Sequence, residues 1–504
     1  MSATRVGGLG RAGPLVATRF ASAIISTAIP LVLARVLDLA AYGAYKQIFL
    51  VTQTLFLVLP FGMVQGLYYF VPRTDSRRPL YAAALAFLGL ASVIAGMGVL
   101  LGAPLAGRVF GNPELVQLRE SIAIYLVGLL LSSPLEISLT AEGRIRSAAG
   151  VYLVSDTLRA AVMVTPVLLG QGLVGVMHAL AAFYVLRSVL AVTWLLRHGA
   201  GPLWERDAVR AQLRYAAPFG ASVIVSRPAQ YAHQYVVSAL ASTELFAVYS
   251  VGCFQLPFVD LLYTPTSEVL MVRLGELDRA GELQRAPEVF RAAAARLAYF
   301  FVPLAVLLAV AAPELIAALF GVRYLGAVPL FRVSVLGVLL SILPIDGALR
   351  SRGFTRHILI AALVRAGLAV PLALLGVRHF GLMGGLGSWA MSELLSKLVL
   401  AWKLPAALGV DGQSARWRSL MPWRELGRAM ASSVVGAAAA VLAGVALASL
   451  VTEPAVSRFL RIVPLLVRGL AFGVAYLGAL ALTGVDPLSL FIARPMRAGR
   501  ATAG

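Results

Sequence analysis

Apolar runs of membrane-spanning length alternate with short polar breaks along almost the whole chain. A helical crossing needs roughly 20 mostly apolar residues. By that measure about fourteen candidate spans lie near 12–34, 43–70, 80–106, 119–140, 147–169, 172–196, 215–240, 245–271, 293–319, 327–349, 357–377, 380–402, 428–451 and 462–484. The pattern predicts an all-α polytopic membrane protein, because only helices satisfy their own backbone polar groups within one lipid-embedded segment. The longest breaks, at 198–214, 272–291 and 403–427, are short. The second alternates Glu276, Asp278, Arg279, Glu282, Arg285, Glu288 and Arg291, the charge pattern of a surface helix.

The spans are not uniformly apolar, and their polar positions recur with helical period. Arg19, Ser22 and Ser26 share one face of the first. Lys46, Gln47, Gln53 and Gln65 interrupt the second. Arg227, Gln230, Tyr231, Gln234 and Ser238 form a stripe along the seventh, and the eighth carries Asp260, Thr264, Ser267 and Glu268. Counted inward from opposite ends, Arg227 and Asp260 reach similar depth. They fit either a buried pair that locks two helices or one wall of a water-filled, substrate-facing lumen.

Composition agrees with the pattern. Of 504 residues 60% are hydrophobic and 13% charged, with mean hydropathy +0.85, whereas soluble domains are about half apolar and a quarter charged. The excess of Lys and Arg, 43 against 23 Asp and Glu, reads as loop charge and interior cations rather than a nucleic-acid surface. With a cytoplasmic N-terminus, about 26 basic residues fall on inner loops and tails and about eight on outer loops. That bias predicts that both termini are cytoplasmic. Arg5 and Arg11 precede an apolar run that continues past signal-peptide length, so the first span is read as uncleaved.

The remaining basic residues, Arg19, Arg159, Arg187, Arg227, Arg296, Arg332, Arg365, Lys397 and Arg468, lie within or at the edges of spans. A cation at a span centre costs about 2.5–3.5 kcal/mol on insertion scales, so each requires a partner, a wet cavity or a route to the headgroups. Arg296, Arg332 and Arg468 are near enough to span ends to snorkel. Asp156 stands three residues before Arg159 and Glu393 four before Lys397, so each pair meets on one helical face. Such pairs serve mutual neutralisation or function.

Catalytic chemistry finds no footing. Cys253, the one cysteine, leaves no disulfide and no thiolate metal site within a chain. The five histidines are scattered, and neither a DxD pair nor HExxH occurs. The run Gly384-Gly385-Leu386-Gly387 lies inside a span, where it favours close helix packing. No GxxxxGK[ST] is present, so ATP has no P-loop. The reading is a transporter with no catalytic residues, no metal ligands and no cofactor.

The first hairpin carries a resemblance. Leu33-Ala34-Arg35-Val36-Leu37, Tyr42-Gly43-Ala44-Tyr45, Leu59-Pro60-Phe61-Gly62 and Tyr69-Phe70-Val71-Pro72-Arg73 resemble the start of the Wzx-type polysaccharide flippases. These belong to the multidrug, oligosaccharidyl-lipid and polysaccharide exporter superfamily. The eighth span opens on Phe246-Ala247-Val248-Tyr249 much as the second opens on Tyr42, six spans earlier. That spacing fits parallel repeats with a site between the halves. The resemblance implies two six-helix lobes in a V, over 1–200 and 201–405, with two additional spans and a cytoplasmic tail over 406–504. Helices 1, 2, 7 and 8 would face the lumen.

The implied cargo is an oligosaccharide on undecaprenyl diphosphate, moved across a bacterial inner membrane by alternating access. Membrane lipids, a polymerase and a chain-length regulator are the implied partners. A cationic lumen suits a diphosphate, and the residues expected to line it are Arg19, Lys46, Gln53, Arg187, Arg227, Gln230, Tyr231, Gln234 and Arg365. Asp260 and Glu268 are the candidates for coupling to H+ or Na+; passive flipping pulled by downstream polymerisation needs neither. A lipid II flippase and an ion-coupled small-molecule exporter of the same superfamily are the alternatives.

Overall fold

A computed structural model describes residues 7–254, 258–410, 420–450 and 462–486, and every regular element among them is helical. In chain order the helices are α1 (Gly7–Val36), α2 (Leu39–Val58), α3 (Met63–Phe70), α4 (Arg78–Val109), α5 (Glu114–Gln117), α6 (Arg119–Ser132), α7 (Pro134–Ala141), α8 (Ile145–Leu168), α9 (Gly172–His198), α10 (Arg206–Leu240) and α11 (Thr243–Gly252). They continue as α12 (Phe258–Arg279), α13 (Ala286–Val310), α14 (Ala312–Leu319), α15 (Val328–Leu340), α16 (Ile345–Ser351), α17 (Thr355–Trp402), α18 (Leu404–Ala407), α19 (Trp423–Leu450) and α20 (Ile462–Leu482). Among the described residues nine helices are long and apolar enough to cross a membrane, or ten if the bent pair α2–α3 is one span. The helices are compatible with fourteen crossings. The run α17 counts once although Gly381, at φ 57 and ψ −141, breaks it, and α10 is long enough at 35 residues but carries the polar stripe.

Packing divides the chain into two units, Met1–Ser250 with Ala366–Gly385 and Val251–Arg365 with Leu386–Gly504. The grouping follows contacts between helices rather than span order. In particular α10 belongs with the first unit, because its contacts run to α2, α3 and α4. The Tyr235 hydroxyl donates to the Leu50 carbonyl at 3.2 Å, and buried Gln212 donates to the Leu80 carbonyl at 3.1 Å. Helix α11 follows it there through a buried pair, His233 Nδ1 and the Tyr249 hydroxyl at 2.6 Å. Hydropathy counts spans but carries no information about which spans touch.

Within the first unit α1 lies on α8, α6 on α9 and α4 on α6. The N-terminus of α2 is capped by the Asp38 carboxylate, which accepts the Ala41 N–H at 2.7 Å. Leu59-Pro60-Phe61-Gly62 then bends the span by 42°. Phe61 (φ 49) and Gly62 (φ 82) are left-handed there, and for Phe61 that conformation is costly. The bend is seated on α10: a Cβ on Gly220 would lie 2.4 Å from the Phe61 ring. Helix α10 itself contains Pro218 and Pro228.

A second close approach holds the other end of α2. A Cβ on Gly43 would lie 2.1 Å from the Thr243 carbonyl oxygen, a backbone atom that cannot rotate away. Gly43→Val is therefore expected to cost about 1–3 kcal/mol through overpacking. It should lower the melting temperature of the solubilised protein by several degrees; an unchanged melting curve would contradict this packing.

In the second unit α19 packs on α20 and on α13, and α12 on α16. Phe290, Leu349 and Leu404 sit in one buried cluster, and Phe301, Phe472 and Tyr476 in another. The Tyr476 hydroxyl donates to the Tyr299 carbonyl at 2.7 Å. Arg468, expected to snorkel, instead pairs with Glu314 of α14 at 2.9 Å. A neighbouring carboxylate at the same depth removes the reason to reach for the headgroups.

Candidate functional site

Helices α1, α2, α8 and α10 of the first unit enclose a cavity of about 330 Å³. Helical spacing puts Tyr45, Lys46, Phe49, Gln53 and Thr54 of α2 on its wall; α10 adds Tyr231 and Gln234, and α1 adds Ser26, Ile29 and Pro30. Arg159 reaches in from α8. Its guanidinium pairs with Asp156 at 2.9 Å and donates to the Ser26 hydroxyl at 2.7 Å. Aromatic rings back the wall, Tyr45 against Phe49 with centroids 4.5 Å apart and Phe49 against Tyr125 at 5.9 Å. The lining thus offers two cations, two amides and several hydroxyls beside one carboxylate, Asp156. Its chemistry suits an anion with further hydroxyl or amide partners.

Of the residues expected to line a lumen, the structure brings Lys46, Gln53, Tyr231 and Gln234 together here. Arg187 is elsewhere and already engaged. Burial leaves 16% of its side chain accessible and 6% of that of Glu136, with which it forms an ion pair. It also donates to Ser132 at 2.9 Å and to Ser155 at 3.3 Å. Glu136 was not among the expected residues: it is the one acidic group of its span interior, and that was the available signal.

Arg365 is likewise paired, with Glu393 at 2.6 Å. The expected Glu393–Lys397 pair along one helix is replaced by this one, and the Lys397 ammonium lies 5.7 Å from the centre of the Tyr263 ring instead. An i,i+4 pair is worth only about 0.3–0.5 kcal/mol, so a partner across the Gly381 break displaces it. The Asp156–Arg159 pair holds as expected. Tyr263 donates to Asp346, which Arg350 approaches at 3.4 Å.

Arg227 is exposed and donates to Gln230 at 3.3 Å. The Arg19 side chain lies outside the described residues. Asp260 and Glu268 are exposed on α12 of the second unit. On the other flank of α10 is an apolar depression of about 490 Å³, lined by Val225, Ala229, Ala232, Tyr235, Val370 and Leu374 among others.

Residues 32–329 match the family model described as "Polysaccharide biosynthesis protein". The chain belongs to that family. The match opens at the Leu33–Leu37 turn that carried the resemblance to Wzx-type flippases, and the family's helices include all of the cavity wall except Ser26, Ile29 and Pro30. No curated protein is similar enough to match the chain.

Among solved structures the chain is similar to the lipid II flippase MurJ in an inward closed conformation, with TM-score 0.71 and 12% identity over 94% of this chain and 99% of that one. It is also similar to an inward-facing multidrug resistance MATE family transporter of the MOP superfamily, with TM-score 0.60 and 16% identity over 78% and 96%. A third is a MOP superfamily transporter from Pyrococcus furiosus described as having a binding pocket of reverse polarity, with TM-score 0.53 and 14% identity over 80% and 96%. At these identities the likeness is one of fold. This member of the polysaccharide biosynthesis protein family is thus a multi-pass membrane protein, helical throughout the described residues, whose fold is similar to those of MurJ and the MATE transporter.

Proposed function

We propose that the chain flips an undecaprenyl-diphosphate-linked oligosaccharide across the bacterial inner membrane, from the cytoplasmic to the outer leaflet, for surface polysaccharide synthesis. The observation that carries this reading is the pairing of Lys46 and Arg159 in one cavity with Gln53, Tyr231 and Gln234. Charge-assisted N–H donors match diphosphate oxygens, while the amides and the tyrosine hydroxyl suit sugar hydroxyls. The polyprenyl tail stays in lipid, alongside the apolar flank of α10. Alternating access between two six-span lobes exposes the cavity to each side in turn, and Arg227 adds a further cation on the same helix. Arg187 and Arg365 lie outside this cavity, each against a carboxylate, and the proposal gives them no direct contact with the diphosphate.

Lipid II is the second reading, supported by the similarity in fold to a lipid II flippase. Its headgroup is also a diphosphate sugar, so the cavity chemistry does not separate the two; the family match favours a polysaccharide repeat unit. Coupling to H+ or Na+ through Asp260, with Glu268 about two turns further along α12, belongs to the same proposal. Vesicles containing the protein should translocate the diphosphate-linked oligosaccharide faster under an imposed pH or Na+ gradient than without one. Rates that ignore the gradient in both wild type and Asp260→Asn would discard the coupling role. Transport of cationic dyes without any lipid translocation would discard the flippase reading.

A further inference from the structure

The first turns of α10, outside the cavity, carry three arginines in one row. Arg206, Arg210 and Arg214 are spaced i, i+4, i+8, and all three are exposed. The orientation of this helix is set by its opposite face: Gln212 and Ala216 are each 1% accessible, and Gln212 is bonded to the Leu80 carbonyl. The row therefore points away from the protein. Among the described residues none of the three makes an ion pair, although Glu205 and Asp207 stand beside Arg206.

Apolar surface lies along the same row. Trp204 is 54% and Leu213 39% accessible. With Val209 and the three arginines they line a depression of about 580 Å³. Orientation of spans by charge requires cations near their inner ends, but not cations in register on one face beside an exposed tryptophan. Like charges at i, i+4 spacing repel, so the row calls for a counter-charge that no described residue supplies as an ion pair. Guanidinium groups over an apolar margin with Trp at its edge are the features of a helix lying in the headgroup layer.

We infer that Trp204, Leu213 and the Arg206–Arg210–Arg214 row bind the headgroup of an anionic phospholipid in the cytoplasmic leaflet. The phosphodiester bridges neighbouring guanidinium forks, and the glycerol and upper acyl carbons rest on Leu213 and the indole. The inference is independent of the proposed substrate. It ties the inner end of the helix that bears Tyr231 and Gln234 to the charge of the leaflet.

The test uses the full chain in phosphatidylcholine vesicles containing a minor fraction of acyl-brominated phosphatidylglycerol or acyl-brominated phosphatidylcholine. The Trp204 signal is isolated by subtracting the fluorescence of a Trp204→Phe variant. Brominated phosphatidylglycerol should quench Trp204 at least about fivefold more effectively, the enrichment expected from even one arginine at an anionic surface. The preference should vanish in the Arg206→Gln, Arg210→Gln, Arg214→Gln triple variant and largely survive in the matching triple Lys variant. In wild type, which needs no refolding check, raising the salt should weaken it. Equal quenching by the two lipids, or a preference that persists in the triple Gln variant or at high salt, overturns the inference. Displacement of phosphatidylglycerol by an equal mole fraction of undecaprenyl diphosphate also overturns it, and would reassign the row to substrate capture.

Discussion

Arg159→Gln is expected to cut translocation of the diphosphate-linked lipid by about ten- to a hundredfold while the protein stays folded in the membrane. A hydrogen bond to an ionised group contributes about 1.5–3 kcal/mol, which corresponds to that range. The residual Asp156 carboxylate is 21% accessible, so water can solvate it once its partner is neutral. Arg159→Lys keeps the charge but loses the fork that spans Asp156 and Ser26, and an intermediate rate is expected. Lys46→Gln, on the facing helix, should reproduce the large loss. Wild-type rates in Arg159→Gln would remove the cavity from the mechanism. Loss of the variant from the membrane, restored by adding Asp156→Asn, would make the pair structural only.

Glu136→Ala should instead cost the protein its stability. Removing one member of a buried pair leaves the other charge without compensation, at about 3–5 kcal/mol. Arg187 would remain 16% accessible with only the Ser132 and Ser155 hydroxyls as acceptors. The expected result is a membrane level far below wild type, or a melting temperature lowered by several degrees in detergent. Replacing both with Leu removes the uncompensated charge and should recover much of the stability. The double variant also decides what Arg187 does. If it is stable and transports normally, the arginine is a fastener between α9 and α7; if it is stable but inactive, Arg187 contacts the cargo after all.

The candidate site is partly legible in the sequence. Lys46, Gln53, Tyr231 and Gln234 stood out because a polar side chain at helical spacing in an apolar span has no reason to face lipid, and the structure sets all four around one space. For Arg159 the sequence shows one partner, Asp156, three residues away. Its second contact, Ser26, is 133 residues away in the chain, and no local pattern reports so distant a neighbour. Arg187 and Arg365 looked identical to lumen cations for the same reason. Only tertiary structure brings Glu136 and Glu393 to them.

What the chain by itself determined is class, approximate span number and charge bias. These follow from transfer free energy and from helical period, both of which act over a few turns and are written in consecutive residues. The Asp38 cap and the Gly381 break fall where the apolar runs end and are local in the same sense, whereas the bend at Leu59–Gly62 interrupts a run that hydropathy reads as continuous over 43–70. Partnership between helices was decided by the tertiary structure. Span order places α10 after the sixth crossing, and the tertiary structure packs it on α2, α3 and α4, where Gly220 admits Phe61 and where Gln212 and Tyr235 find backbone acceptors. In lipid, where apolar surface alone gives no preference for one neighbour over another, close contacts and polar bonds of this kind select the partner. They are made between residues far apart in sequence, and so they also decide which carboxylate each intramembrane arginine meets.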